Sequence, residues 1–526
     1  MIGEMQNWPL RLTSLIDHAE REHGAREIVS RIHDGAVRRT NWQEVAREAH
    51  ALSDYLIRIG IRPGDRVATL AANHGRHLVC WFGVIGVGGV LHTINPRFTD
   101  DQLAYVIAHA EDRIIFFDEV FRPVVDRIRS QVPCVERWIS YETADGFDLM
   151  VANGDADRPW VEGDERDPAL LCYTSGTTGK PKGVIYQHRS QLLHTMAQIQ
   201  VDAFCYSRRT VSLPITPMFH ANAWGIPFAC AAVGAKLVLS AANDPAVLHR
   251  LIVDERVTHS CAVPTVWLNL IQYLERVGGD FGMLRMIAIG GSAAPRALLR
   301  RLTEMGIQVS HLWGMTETSP VGTVAALPPD WGERDETSKL DIMSRQGSAP
   351  FGMSIRTVNE SGNALDRDGL SLGRLQVRGF WAISRYFKDN TGTAVDHDGW
   401  FDTGDMAIMH PDGTMQLADR AKDLIKSGGE WISSIELENA AVALPGINEA
   451  AAIAVSHPKW GERPLLIVVR DEGSSIGSAE ILSLLGERLP KWWLPEDIQF
   501  VSELPKTATG KISKLILREI YGEGIH

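Results

Sequence analysis

Three observations predict an α/β protein built in two unequal parts. Short apolar runs of strand character alternate with helical patterns through the first four-fifths of the chain. Such alternation builds parallel sheets covered by helices. The composition changes near Asp419-Arg420-Ala421-Lys422-Asp423, and the stretch beyond is about a hundred residues, enough for a small separate domain. The chain's 526 residues leave room for more than one domain.

In order, residues 41–59 read as a helix and 66–70 (Arg-Val-Ala-Thr-Leu) as a strand. The longest apolar stretch, Leu78 to Leu91, carries Gly83, Gly86, Gly88 and Gly89. It is shorter than the roughly 20 residues a membrane span needs, so it reads as a buried helix or helix–loop. Its glycines do not fit the GxGxxG dinucleotide pattern. Residues 113–117, 236–239 and 286–289 read as strands and 245–255 as a helix. In the C-terminal unit a helix is expected at 434–443, strands at 450–455 and 465–469, and a helix at 479–489. The division is therefore 1–418 and 419–526, with a hinge at 419–423. There is no fixed-period repeat and no low-complexity tract.

Hydrophobic content of 44% and charged content of 22% are ordinary for a soluble globular chain. A net charge of −12 without a Lys/Arg run argues against nucleic acid as a main partner. Six cysteines lack CxxC or Cys/His spacing, and most of them read as reduced core residues. Residues Met1 to Glu20 lack the basic start and apolar run of a signal peptide. A cytoplasmic location without an integral membrane segment is expected. Oligomeric state is not readable, and a homodimer stays open.

The segment Tyr173-Thr174-Ser175-Gly176-Thr177-Thr178-Gly179-Lys180-Pro181-Lys182-Gly183 carries the most information. Its hydroxyls, glycines and lysines suit phosphate oxygens, and apolar runs on both sides place it between two strands. A Walker-type loop fails here: Gly176 and Gly179 are too close, and Lys180 is followed by a proline instead of Ser/Thr. A flexible polar loop is the bland alternative.

This segment resembles the phosphate loop of the adenylate-forming superfamily, which includes acyl- and aryl-CoA synthetases, firefly-type luciferases and peptide-synthetase adenylation domains. Further motifs follow in that family's order over nearly the whole chain: Gly290-Gly291-Ser292-Ala293-Ala294-Pro295, Trp313-Gly314-Met315-Thr316-Glu317, Gly399-Trp400-Phe401-Asp402-Thr403-Gly404-Asp405, Asp419-Arg420 and Pro505-Lys506-Thr507-Ala508-Thr509-Gly510-Lys511. Each alone is ambiguous. Thr-Gly-Asp fits a turn, a C-terminal lysine is ordinarily solvated, and a histidine among aromatics is ordinarily packed.

The resemblance implies a large N-terminal domain of layered, mostly parallel sheets with helices, and a small mobile α+β C-terminal domain. It implies ATP, Mg²⁺ and coenzyme A as reactants. Thr174, Ser175, Gly176, Thr177, Thr178 and Lys182 would hold phosphates, with Thr174 taking part in catalysis. Trp313 would lie against the adenine, beside Gly314 and Met315. Thr316 would meet the α-phosphate and Glu317 would bind Mg²⁺. Asp405 and Arg420 would bind the ribose. Gly291, Ser292 and Ala293 would line the adenine and acyl sites. His220, in Pro217-Met218-Phe219-His220, would orient the carboxylate, and Trp224, four residues on and so on the same face if helical, would wall the acyl pocket with Gly290 and Gly314. Lys511 would bridge carboxylate and α-phosphate, with Lys506 the weaker candidate. Lys422 matches the hinge position. Lys426, Ser427, Gly428, Gly429, Glu430 and Trp431 would line the thiol tunnel in a second orientation of the C-terminal domain.

The implied reaction joins a carboxylic acid to CoA through an acyl-adenylate. Gly314 stands where acetate-specific relatives carry tryptophan, so an acid longer than acetate is expected. No acidic residue is placed to recognise an amino group. The segments 218–225 and 426–434 look most like bacterial fatty-acyl-CoA synthetases and methylmercaptopropionate-CoA ligases. A medium-chain or short substituted acid is favoured, with long-chain and aromatic acids open. A carrier-protein acceptor, a luciferase-type oxygenase and a non-catalytic nucleotide-binding module are the rivals. No carrier segment follows the C-terminal unit, and Thr174, Glu317, Asp405 and Lys511 are all present.

Overall fold

The structure, a computed structural model, describes residues 4–174, 180–390, 392–428, 430–506 and 511–522. Four sheets organise them. A six-stranded sheet runs, in spatial order, Arg137–Ser140, Asp112–Phe117, Arg66–Leu70, Val90–Thr93, Pro168–Tyr173, Gly183–Gln187, parallel except for the last pair. An eight-stranded sheet runs Val321–Val324, Gln308–Gly314, Met286–Ile289, His259–Ala262, Val211–Pro214, Lys236–Ser240, Glu27–Arg31, Val37–Asn41, with antiparallel pairs only at its two edges.

Between the sheets lies a core whose largest fully buried side chains include Trp42, Trp81, Phe82 and Phe228. Helix Trp42–Arg58 starts where the Asn41 side chain accepts the Glu44 N–H at 2.9 Å, satisfying one donor that the first turn leaves open. The apolar stretch from Leu78 resolves into helix Gly75–Gly86 followed by strand Val90–Thr93. Its glycines have a packing reason. A Cβ on Gly83 would sit 2.9 Å from Leu52 Cδ2 and 3.1 Å from the Ala49 carbonyl, and one on Gly86 would overlap the Trp160 ring.

One region departs from the helix-covered plan. Met353–Val358, Leu372–Gly379, Phe401–Met409 and Met415–Arg420 form an all-antiparallel sheet. Short polar turns enforce this. At one of them Gly413 takes φ 84° and Thr414 N–H bonds to Asp412 Oδ1 at 3.0 Å, the turn chemistry of a hairpin. The last strand of this sheet carries Asp419 and Arg420, so the expected hinge begins at a strand end.

Beyond it, Glu430–Ile432, Ile425–Ser427, Gly461–Arg470 and Ile447–His457 make a sheet, with Asp497–Phe500 added parallel to Gly461–Arg470. Each face of that sheet has its own core. Leu437, Leu466, Val468 and Leu485 fill one; Ile453, Leu465, Ile467 and Leu517 fill the other. Among the described residues no helix is long and apolar enough to cross a membrane. Four of the cysteines are buried, Cys134 is partly so, and Cys205 is exposed.

Candidate active site

The antiparallel pair Pro168–Tyr173 and Gly183–Gln187 holds the ends of the glycine-rich loop together, Tyr173 opposite Gly183. The pairing extends one step further. Thr174 N–H donates to the Lys182 carbonyl at 2.9 Å, and Lys182 N–H donates to Thr174 Oγ1 at 3.2 Å. Ser175, Gly176, Thr177 and Thr178 lie outside the described residues. The Lys182 ammonium lies 4.6 Å from the centre of the Tyr386 ring.

Tyr386 links this loop to the next motif, because its hydroxyl donates to Glu317 Oε1 at 2.7 Å. Nothing in the sequence pattern singles Tyr386 out. Glu317 is buried, and its carboxyl is pushed above the ordinary carboxylate range by that burial, against the pull of Tyr386 and Arg420. A buried carboxylate that accepts a tyrosine hydroxyl suits a hard cation. Among the described residues no group of three His, Cys, Asp or Glu side chains could hold a metal by itself. Thr316 is buried beside Glu317, its carbonyl accepting the Tyr186 hydroxyl at 2.7 Å.

Gly314 ends strand Gln308–Gly314 where a Cβ would overlap the Pro320 carbonyl, which accepts the Met315 N–H at 3.0 Å. A side chain at 314 would therefore need this local backbone to shift, apart from any effect on pocket size. Trp313 is buried against Gly322 and donates its indole N–H to Asp405 Oδ2 at 2.8 Å, while Arg420 Nε lies 3.2 Å from Asp405 Oδ1. These three side chains come from three different strands, and both Asp405 oxygens are oriented by donors.

His220 and Trp224 require a correction. They do not share a face of an ordinary helix. Ala221, Asn222, Ala223, Trp224 and Gly225 all take positive φ, from 35° to 76°, and make a left-handed turn. Each non-glycine residue there costs roughly 1–2 kcal/mol, so the turn needs support. Asn222 supplies it from a buried position: its amide donates to Thr93 Oγ1 at 3.3 Å and its oxygen accepts Cys172 Sγ–H at 3.0 Å. Gln198 donates to the Trp224 carbonyl. The result puts the Trp224 ring against Gly290, where an added Cβ would lie 3.3 Å from Trp224 Cη2.

Gly291, at φ 87°, leaves its α-carbon open toward Lys511, whose Cε would be 3.7 Å from an added Cβ. Lys511 has its ammonium drawn down to about 8 by burial and then by the Arg420 charge, with Asp405 opposing. His220 is drawn down to about 4 by burial, then by Lys511 and Arg97, so its imidazole is neutral at pH 7. His220, Trp224, Gly291, Ala293, Arg97 and Lys511 border one cavity of about 870 Å³, whose walls come from both parts of the chain. Ser292, between Gly291 and Ala293 in sequence, is exposed. Lys506 also borders the cavity but is paired with Glu449 at 2.7 Å.

The remaining expected residues are elsewhere. Ile425–Ser427 and Glu430–Ile432 form a hairpin, with Gly428 at φ 61° and Gly429 outside the described residues. Trp431 is 38% exposed with the Lys426 ammonium 5.1 Å from its ring centre; Ser427 is buried and Glu430 exposed. Among the described residues of this hairpin none borders the cavity that holds His220 and Lys511. Lys422 is exposed, its carbonyl accepting Arg518 at 3.3 Å.

Comparison with known proteins agrees with this architecture. The family model described as AMP-binding enzyme matches residues 16–387, and that of the AMP-binding enzyme C-terminal domain matches residues 436–511. The chain is 43% identical over 536 residues to a medium-chain-fatty-acid–CoA ligase of Ectopseudomonas oleovorans, covering 99% of this chain and 98% of that one. It is 44% identical over 532 residues to a 3-methylmercaptopropionyl-CoA ligase of Ruegeria pomeroyi, again covering 99% and 98%. Among solved structures, ATP-bound MatB from Rhodopseudomonas palustris superimposes with a TM-score of 0.86 at 25% identity, covering 98% of this chain and 99% of that one.

Proposed function

The chain belongs to the AMP-binding enzyme family, and we propose that it is an ATP-dependent acyl-CoA ligase acting on a medium-chain fatty acid or a short substituted acid such as 3-methylmercaptopropionate. The class follows from the full-length relatives, which are acyl-CoA ligases. One observation carries the assignment of residues: Lys511 of the C-terminal unit and His220 and Gly291 of the large part meet in one cavity, near the Asp405–Arg420 pair that influences the Lys511 charge.

A carboxylate repels nucleophiles and has no leaving group. In the first step its oxygen attacks the α-phosphorus of ATP and pyrophosphate leaves. Lys511, charged at pH 7, neutralises the charge that builds on the carboxylate and phosphate oxygens. Neutral His220 orients the acid without repelling that ammonium. Asp405, set by Trp313 and Arg420, accepts hydrogen bonds from the ribose hydroxyls, and Thr174 with Lys182 lies against the phosphates. Glu317 fits Mg²⁺, which would neutralise phosphate charge. In the second step the CoA thiol attacks the acyl carbonyl carbon and AMP leaves.

The position of the Lys426–Trp431 hairpin away from the cavity supports a reading in which the C-terminal unit turns about the hinge at 419–423 between the steps, and the present orientation belongs to the first. The apolar wall of Trp224, Ile215, Val263 and Leu270 supports an acyl tail longer than acetate. Free cysteines support a cytosolic setting. The test is mass-spectrometric analysis of products from ATP, Mg²⁺, CoA and a panel running from acetate through octanoate and palmitate, with 3-methylmercaptopropionate, benzoate and cinnamate. Acyl-CoA plus AMP is expected, with octanoate or 3-methylmercaptopropionate best. Acyl-adenylate without thioester would point to another acceptor.

A further inference from the structure

Asp419 belongs to two bodies at once. Its main chain pairs with Met406 inside the antiparallel sheet of the large part. Its buried side chain turns the other way. Oδ2 accepts both the N–H of Ser434 at 2.7 Å and its hydroxyl at 2.6 Å, at the first residue of helix Ser434–Val442. A carboxylate there also meets the positive end of the helix. Next to it, the Ser433 hydroxyl donates to the Ala418 carbonyl at 2.7 Å.

The chain of contacts continues into the last helix. The Lys514 ammonium donates to Ser434 Oγ and pairs with Glu438 Oε1 at 2.7 Å; that oxygen also accepts the Ala452 N–H at 2.8 Å. The Lys514 and Glu438 side chains are 13% and 17% exposed, so removing one partner leaves charge poorly solvated. Burial alone would disfavour the Lys514 charge, but Glu438 and Asp419 outweigh it and hold the ammonium above the ordinary lysine value. None of these four residues borders the reactive cavity; their link to it is the backbone, since Lys514 follows Lys511 by three residues and Ser513 N–H is tied to the Pro505 carbonyl at 2.7 Å.

We propose that Asp419, Ser434, Lys514 and Glu438 form a buried clasp across the hinge, with Lys514 the positioning residue that seats Lys511 for adenylate formation. This rests on the two-step ligase reading above. Asp419 is fixed by backbone pairing to the large part, whereas Ser434, Glu438 and Lys514 travel with the C-terminal unit. A rotation at the residues that follow Asp419 parts it from Ser434, while Ser434, Glu438 and Lys514 stay together, so the clasp favours the first step and opens for the second.

The test uses full-length enzyme and measures the two steps apart: ATP–pyrophosphate exchange with octanoate and Mg²⁺, and CoA ester formation from supplied octanoyl-adenylate. Lys514→Met is expected to lower the exchange kcat by roughly ten-fold or more, the scale of a lost charged hydrogen bond. ATP KM and the ester-forming step should stay within roughly threefold of wild type. Lys514→Arg should restore most of the exchange rate. Ser434→Ala, which keeps every charge, should lower exchange selectively by a smaller factor, and it decides the matter if Lys514→Met does not fold. Equal loss in both steps, or full exchange activity in both variants, overturns the clasp while leaving the ligase reading intact. Wild-type enzyme without exchange on any acid of the panel overturns both.

Discussion

Lys511 gives the sharpest pH prediction. Its ordinary value of 10.5 is brought down to about 8 by burial and by Arg420, and the first step needs its charged form. The active fraction is therefore present below pH 8 and lost above it: about half at pH 8 and about one-tenth at pH 9. For free enzyme, kcat/KM for ATP–pyrophosphate exchange should fall roughly tenfold per unit on the alkaline side. Bound phosphates stabilise the ammonium, so the limb in kcat should lie at higher pH than the limb in kcat/KM. His220, neutral above about 4, contributes no limb near neutrality. The assay is exchange with saturating acid from pH 6 to 10, with ester formation from supplied acyl-adenylate as control. The control should lack the Lys511 limb, and so should the residual exchange of Lys511→Ala, already reduced by orders of magnitude. An exchange kcat/KM flat to pH 9.5, or the same limb in the variant, refutes the assignment of Lys511.

Three further outcomes follow from neighbouring contacts. Tyr386→Phe removes a hydroxyl that donates to Glu317 and leaves less to oppose its burial; its carboxyl, already raised, should rise further, so exchange at pH 6 should suffer more than at pH 8, with a raised requirement for Mg²⁺. A uniform loss across pH would contradict this. Asp405→Asn should raise the ATP KM roughly tenfold or more, the scale of hydrogen bonds to a charged acceptor, with little change in the KM for the acid; titrating both substrates separates the two. Gly314→Ala should impair folding or the Trp313–Glu317 geometry because its Cβ overlaps the Pro320 carbonyl. Normal thermal stability with only a shortened acyl preference would show that the strand yields, and that pocket size alone fixes this residue.

Much of the architecture was legible because periodicity reports directly on burial. Strand 66–70 and helix 41–59 match the observed Arg66–Leu70 and Trp42–Arg58 to within a residue or so, since their apolar spacing is what packs them. The antiparallel sheet at 353–420 was not read, because its hairpins are set by local turns such as the one at Gly413. The site divides the same way. Contiguous motifs marked Thr174, Glu317, Asp405 and Lys511. Tyr386 and Lys514 stand out only through contacts between residues far apart in sequence, which spacing cannot reveal. The left-handed turn at Ala221–Gly225 escaped for another reason: only one of its five residues is glycine, and the support comes from Asn222, Thr93 and Gln198 in the tertiary structure.

If the acid's own oxygen attacks the α-phosphorus, that oxygen leaves with AMP. The measurement uses octanoate labelled with ¹⁸O in both carboxylate positions, turned over with ATP, Mg²⁺ and CoA, with the products weighed by mass spectrometry. One ¹⁸O is expected in AMP, one retained in octanoyl-CoA, and none in pyrophosphate. Unlabelled AMP, or label in pyrophosphate or phosphate, would contradict it.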